Sequence, residues 1–228
     1  MRRTKEDAEK TRLAILAAAE RLFLQHGVSH TSLEQIARAG GVTRGAVYWH
    51  FENKAHLFNE MLGQIRLPPE RLAQRLSGSA GANPLRELRD LCIEAMANLA
   101  GNPQKRNIMT ILLRRCEFTE ELRYAEERST AYIDQFIDLC QALFERERER
   151  LRPGLSPRLA ARTLHATLVG MLSDVLRDPD LFDPLTDAPV MIDTLFCGLI
   201  RDWSPAERPA LIDSATASDQ CGQPSAQP

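Results

Sequence analysis

Apolar residues recur at helical spacing along almost the whole chain. Over residues 7–26, Ile15, Ala18, Ala19, Leu22 and Phe23 fall on one helix face, and Gly27 supplies a left-handed stop. In HTSLEQIARAGG, Thr31 followed by Glu34 predicts a capping box and a short helix from near Ser32. Leu33, Ile36 and Ala37 form its stripe, and Gly40-Gly41 ends it. Thr43 predicts the cap of a third helix reaching about Phe51, and Asn53 the cap of a fourth whose inner face is Leu57, Met61 and Ile65.

Pro68-Pro69 is expected to break or kink that fourth helix, because proline has no N–H and clashes with the preceding turn. The small-residue link SGSAGAN follows at 77–83. Further helices are predicted over 84–100, 104–116, 119–151, 157–177 and 187–202, punctuated by Asn102-Pro103, Pro153-Gly154 and Asp178-Pro179. The run ERERERLR reads as the solvated end of a long helix. No strand alternation or internal repeat emerges, so the expected fold class is all-α with about nine helices. The polar tail 213–228 is expected to be disordered.

Composition narrows the choice of function. The 228 residues are 43% hydrophobic and 26% charged, with a net charge of −2. The start, MRRTKEDAEKTR, is charged and lacks the apolar block of a secretory leader, and no apolar run approaches a membrane span. A cytoplasmic protein with no membrane partner is expected. Five well-separated cysteines form no C-x-x-C pair, which implies free thiols. Scattered histidines give no zinc spacing, so neither metal nor cofactor is expected. Residues 1–66 carry ten Lys/Arg against seven Asp/Glu, the remainder nineteen against twenty-four. A mildly basic head on an acidic body suits a polyanion-binding module joined to something else.

The stretch VTRGAVYWHFENK concentrates the chemistry of that head. Two short helices joined by a glycine turn and braced by a third make a helix-turn-helix, whose second short helix enters the DNA major groove. On this reading Val42, Val47 and Phe51 point to the core, while Thr43, Arg44, Tyr48 and His50 face outward. Gly45 and Ala46 keep the helix start slim. Arg44 is placed to donate twice to a guanine, whereas Tyr48, His50 and Lys54 suit phosphates. Trp49 either supports the helix or packs near the DNA backbone.

These residues carry a resemblance. Thr31, Ile36-Ala37, Gly41-Val42, Gly45, Tyr48-Trp49-His50-Phe51, Asn53-Lys54 and Leu57 resemble the TetR family of one-component transcriptional regulators. RRTKEDAEKTR, GVTRGAVYWHF and RRCEFTEEL at 114–122 resemble its multidrug-efflux repressors of the AcrR and TtgR type. The resemblance implies a helix-turn-helix DNA-binding domain over 1–53 and a helical ligand-binding and dimerisation domain over 54–212. It also implies DNA-facing positions at Thr31, Ser32, Thr43, Arg44, Gly45, Ala46, Tyr48, Trp49, His50 and Lys54. Lys5, Lys10 and Arg12 are expected either to add phosphate contacts or to be plain solvated charge. Gly40 and Glu52 depart from the family's usual Ala and Lys. Pro68-Pro69 departs from its unbroken fourth helix.

The implied partners are a palindromic double-stranded DNA operator, a second copy of the chain and a small hydrophobic effector. Leu164, Leu168, Met171, Leu172 and Val175, with Val190, Met191, Leu195 and Leu199, form two stripes suited to a four-helix dimer interface or to the chain's own core. Effector-pocket positions fall at Leu91, Cys92, Ala95, Met109, Leu112, Leu113, Ile133, Phe136, Cys140, His165, Leu168, Val169 and Leu172, with core packing as the competing role for each. Walls with few polar groups suit hydrophobic drugs or phenolics. The expected function is a ligand-released repressor of a multidrug efflux operon. The alternatives are a repressor of a metabolic or lipid-degradation operon and a helical adaptor that does not bind DNA. An enzyme is not expected, since the sequence offers no nucleophile–His–acid group, phosphate loop or paired carboxylates.

Overall fold

The computed structural model describes residues 5–65, 74–75, 83–117, 119–178, 180–181 and 183–205. The expected break at Pro68-Pro69, the link up to residue 82, Pro179, Cys221 and the tail 213–228 lie outside them. Within the described residues the fold is all-α. Its helices are α1 (Lys5–His26), α2 (Leu33–Ala39), α3 (Arg44–His50), α4 (Lys54–Gly63), α5 (Pro84–Gly101), α6 (Pro103–Arg114), α7 (Arg123–Arg146), α8 (Pro157–Arg177) and α9 (Asp187–Leu199).

Caps written in the sequence set these boundaries. Gly27 ends α1 at φ +83°, and its amide donates to the Phe23 carbonyl at 2.9 Å. The Thr43 hydroxyl accepts from the Ala46 amide at 3.1 Å, and Asn53 Oδ1 accepts from the His56 amide at 2.8 Å, opening α3 and α4. Asn83-Pro84, Asn102-Pro103 and Ser156-Pro157 repeat one device: a capping side chain, then proline at the first helical position, where its missing N–H costs nothing.

The capping box of α2 lies one residue later than expected. Ser32, not Thr31, is the cap: its Oγ accepts from the Gln35 amide at 3.2 Å, and Gln35 Oε1 accepts from the Ser32 amide at 2.7 Å. Thr31 is buried, and its hydroxyl donates to the Gly27 carbonyl at 2.8 Å. The charged run also differs. The predicted 119–151 helix becomes a 3-10 turn at Glu120–Leu122, α7, and a second 3-10 turn at Arg148–Arg150. Arg150 Nε donates to Asp202 at 3.0 Å, and Leu151 bridges Ile200, so this end is fastened to the chain beyond α9 while most of its charged residues stay exposed.

Two apolar clusters result. One joins α1–α4 through Ile15, Phe23, Ile36, Val47, Phe51, Leu57, Phe58 and Leu62, and takes Ile108 and Ile111 from α6 with Leu122 and Ala125. Phe23 and Phe58 meet edge-to-face at 6.2 Å, and truncating either to alanine would cost about 3–5 kcal/mol. From α4, Ala55, Leu57, Phe58, Met61 and Leu62 pack here. The other cluster joins α5, α7, α8 and α9. At its edge the Arg89 guanidinium donates to Asp193 at 2.6 and 3.1 Å, and Trp203 Nε1 donates to the same carboxylate at 3.2 Å.

The stripes assigned to dimerisation are mostly interior. Leu164, Met171, Val175 and Leu199 are buried in the chain's own core, and Leu168 and Leu172 line a cavity. Of those stripes Val190 and Met191 are exposed, and Leu159 adds apolar surface on α8. A 21-residue helix with buried residues on one side must alternate inward and outward positions, and periodicity alone does not tell which partner covers each.

Candidate nucleic-acid interface and effector cavity

The connection from α2 to α3 is a tight turn. Gly41 takes φ +65°, and the Val42 amide donates to the Ala37 carbonyl at 3.0 Å. This leaves Thr43, Arg44, Gly45, Tyr48 and Trp49 exposed on one face, with Val47 and Phe51 buried behind them. Trp49 is 72% exposed, far more than a supporting residue would be. Its ring meets that of His50 edge-on at 4.5 Å. The Arg44 guanidinium lies 5.5 Å from the Tyr48 ring centroid, which holds the cation at the helix start. Beyond its own helix backbone and chain neighbours, no atom of the described residues lies within 4 Å of where a Gly45 side chain would begin, so the backbone there is open to a close partner.

A cleft of about 490 Å³ brings Thr31, Ser32, Arg44, Tyr48 and Lys54 together, with His30 and Gln35, which sequence reasoning passed over. Three expected contacts need correction. Ala46 is buried against the core, so only Gly45 thins the outer face. Thr31 is interior, as its bond to Gly27 requires. Lys54 is 6% exposed: its ammonium donates to the Ser29 carbonyl at 3.4 Å and pairs with Glu121 at 2.8 Å. It is a tie between α4 and the 3-10 turn before α7 rather than a free phosphate ligand. Ser32 is exposed, with its hydroxyl engaged in the cap. Of the added N-terminal cations, Arg12 is tied to Glu60 of α4 and stacked 5.9 Å from the Phe51 ring, and Lys10 pairs with Glu6.

A second cavity, of about 400 Å³, opens between α5, α6 and α8 near the end of α4. Six of the candidate effector positions, Leu91, Ala95, Met109, Leu168, Val169 and Leu172, line it. The other seven candidates do not. Cys92 and Cys140 are buried in the core, where desolvation pushes both thiols up, Cys92 to about 12. Leu112 packs toward the first cluster, and Leu113 and Ile133 are exposed. Phe136 and His165 face each other at 6.2 Å, and burial lowers the His165 pKa, aided by Arg162. The lining is also less apolar than expected. Arg75 donates to Glu94 at 2.6 Å, and Gln64, Asn98, Lys105 and Tyr132 contribute polar groups. Pairing makes the Arg75 and Glu94 charges tolerable beside the apolar wall, and no sequence spacing announces such a pair.

Between cavity and interface runs α6. Lys105 and Met109 line the cavity, and past the other end of the helix the Arg115 carbonyl accepts from the Val28 amide at 2.9 Å. Two residues on, the Glu117 carbonyl accepts from the Ser29 hydroxyl at 3.3 Å. Among the described residues no three His, Cys, Asp or Glu gather as a metal site, and no helix is long and apolar enough to cross a membrane.

Comparison with known proteins agrees with this geometry. The pattern described as "Bacterial regulatory proteins, tetR family" matches residues 15–61, and "MAATS-type transcriptional repressor, C-terminal region" matches 83–201. The HTH-type transcriptional regulator TtgR of Pseudomonas putida is 36% identical over 196 residues, covering 85% of this chain and 93% of that protein. The crystal structure of NalD, described as the secondary repressor of the MexAB-OprM multidrug efflux pump in Pseudomonas aeruginosa, is 63% identical. It superposes with a TM-score of 0.83 over 87% of this chain and 100% of that one. A SmeT–triclosan complex is 33% identical with a TM-score of 0.75, covering 86% and 96%. Matched across both its turn-linked head and its helical body, the chain belongs to the TetR family of bacterial transcriptional regulators.

Proposed function

We propose that this protein is a ligand-responsive repressor of a multidrug efflux operon. Two copies bind a palindromic operator, each laying α3 in a major groove, with half-sites about 34–36 Å apart. Arg44 reads a base edge, while Thr43, Gly45, Tyr48, Trp49 and His50 meet the DNA backbone. Leu159, Val190 and Met191 supply apolar surface for the dimer. A hydrophobic drug or phenolic enters the cavity between α5, α6 and α8 and favours the state that cannot hold DNA.

One observation carries this reading: the helix that walls the cavity is hydrogen-bonded, just past its C-terminus, to the turn that opens the reading head, Val28 to Arg115. The likeness to NalD, described as repressor of a multidrug efflux pump, supports the regulated function, and the triclosan complex of SmeT supports a phenolic effector. The test is fluorescence anisotropy on an inverted repeat from upstream of the gene. Binding with a steep salt slope, released by triclosan but not by a non-binding analogue, is the expected result. Salt-independent binding, or retention of DNA across a drug panel, overturns it.

A further inference from the structure

The charged groups lining the cavity between α5, α6 and α8 are unevenly committed. Arg75 donates to Glu94 at 2.6 Å and to Glu87 at 2.9 Å, so these charges answer one another. Lys105 is different. It is half-buried, and its ammonium has neither an ion pair nor a hydrogen bond among the described residues. Nothing in the local fold asks for lysine here. Lys105 lies in the first turn of α6, where its amide donates to the Asn102 cap at 3.1 Å. A cation in that turn opposes the helix dipole, and an acidic residue would be favoured instead. The carboxyl end of α5, where a cation would help, is already served by Arg106, which donates to the Leu99 and Ala100 carbonyls.

A second donor stands close by. Gln104, the residue before Lys105, donates from Nε2 to Gln64 Oε1 at 3.1 Å. That bond orients the Gln64 carboxamide and leaves its own Nε2, at the cavity lining, without a partner among the described residues. An ammonium and an amide NH₂ can only donate. Much of the remaining wall is apolar, through Leu91, Met109, Leu168 and Leu172. A cationic drug would meet Lys105 and find Glu94 already taken. A neutral hydrocarbon would desolvate the ammonium and give it nothing in return. An anionic oxygen answers both donors, and such charge-assisted bonds are about twice as strong as neutral ones.

We infer that the cavity selects apolar aromatic compounds carrying one anionic oxygen, a carboxylate or a phenolate, held by Lys105 with Gln64 beside it. This rests on the reading of the cavity as the effector site and narrows it to a charge class. The bound oxygen bridges the residue that caps the end of α4 and the first turn of α6.

Isothermal titration of the full chain with one skeleton in three charge states tests the assignment: biphenyl-4-carboxylate, biphenyl-4-carboxamide and 4-(aminomethyl)biphenyl, with triclosan as a phenol reference. The carboxylate should bind at least about tenfold more tightly than the carboxamide, and the amine more weakly than either. Lys105→Gln should erase that preference, weakening the carboxylate about tenfold and the carboxamide by less than about twofold. Lys105→Arg should keep it, because the charge remains. Lys105→Gln should also melt at or above the wild type, since it relieves the first turn of α6, whereas general damage would lower it. The inference falls if the carboxamide or the amine binds as tightly as the carboxylate. It falls too if the preference survives in Lys105→Gln, which would make Lys105 a solvated rim charge. If triclosan binds and releases operator DNA while no biphenyl binds, the selectivity falls and the effector reading stands. If the carboxylate preference appears but no bound ligand releases DNA, the effector reading falls and the selectivity stands.

Discussion

The Val28 amide donates to the Arg115 carbonyl at 2.9 Å, and this bond ties the reading head to the far end of a cavity helix. Around it the Ser29 hydroxyl holds the Glu117 carbonyl, and the Lys54 ammonium holds the Ser29 carbonyl and Glu121. The segment just past α6 is thus joined to the turn before α2 as well as to α4.

Gly27→Ala tests that turn. At φ +83° a side chain is strained, and its first carbon would sit 3.3 Å from the Arg115 carbonyl oxygen. The variant should lose about 1–2 kcal/mol in urea unfolding. Its operator affinity should change less than the concentration of effector needed for release. Equal changes in both would place the coupling elsewhere.

Arg44→Ala should flatten preference at a single base-pair position, by about 1–3 kcal/mol, in a gel shift across a panel of base-substituted operators. A uniform loss across all sequences would instead make Arg44 a phosphate contact.

Ser32→Ala removes the α2 capping box and should cost about 0.5–2 kcal/mol in thermal or urea unfolding. Deleting the Glu34 side chain, the partner suggested by Thr31, should cost much less, since among the described residues its ion pair is the 4.0 Å contact with Arg38 on an exposed surface.

Val169→Trp fills part of the cavity that Val169 lines. Drug-induced release should need at least about tenfold more ligand, the effect of a bulky side chain in a pocket that cannot collapse around it. DNA affinity without drug should stay within about twofold, measured by anisotropy in the same buffer.

Burial raises the Cys92 thiol to about 12, and burial with Glu126 and Glu117 raises Cys116 to about 11. Raised thiol pKa values mean that the folded state holds these protons more tightly than the unfolded chain. Their contribution to stability is full below the ordinary value of 9.0 and is lost as pH rises from there through 11 and 12. The urea midpoint should fall over that range, less steeply in Cys92→Ala. At pH 8 the native protein should react slowly with iodoacetamide at both residues, as mass spectrometry would show.

Much of this fold was legible because caps are local. Gly27, Thr43, Asn53 and Asn102 each act within a turn of their own position, so sequence spacing is enough. The α2 cap was misplaced by one residue because Thr31 with Glu34 and Ser32 with Gln35 offer the same chemistry side by side, and only burial of Thr31 decides between them. Lys54 was read as a free cation because Glu121, distant in sequence, is what buries it. The cavity was half legible for the same reason. Apolar positions such as Leu91 and Leu172 were implied by the family resemblance, but Arg75 and Glu94 join the wall only once three dimensions pair them.

The first apolar cluster has a consequence for biosynthesis. Phe23, Phe51 and Phe58 share their core with Ile108, Ile111, Leu122 and Ala125. A nascent chain therefore emerges from the ribosome with its DNA-reading helices made but their core still open, until the start of α7 has been translated. Premature termination anywhere before Leu122 would release a head with greasy, uncovered phenylalanines, prey for chaperones and proteases rather than a small working repressor.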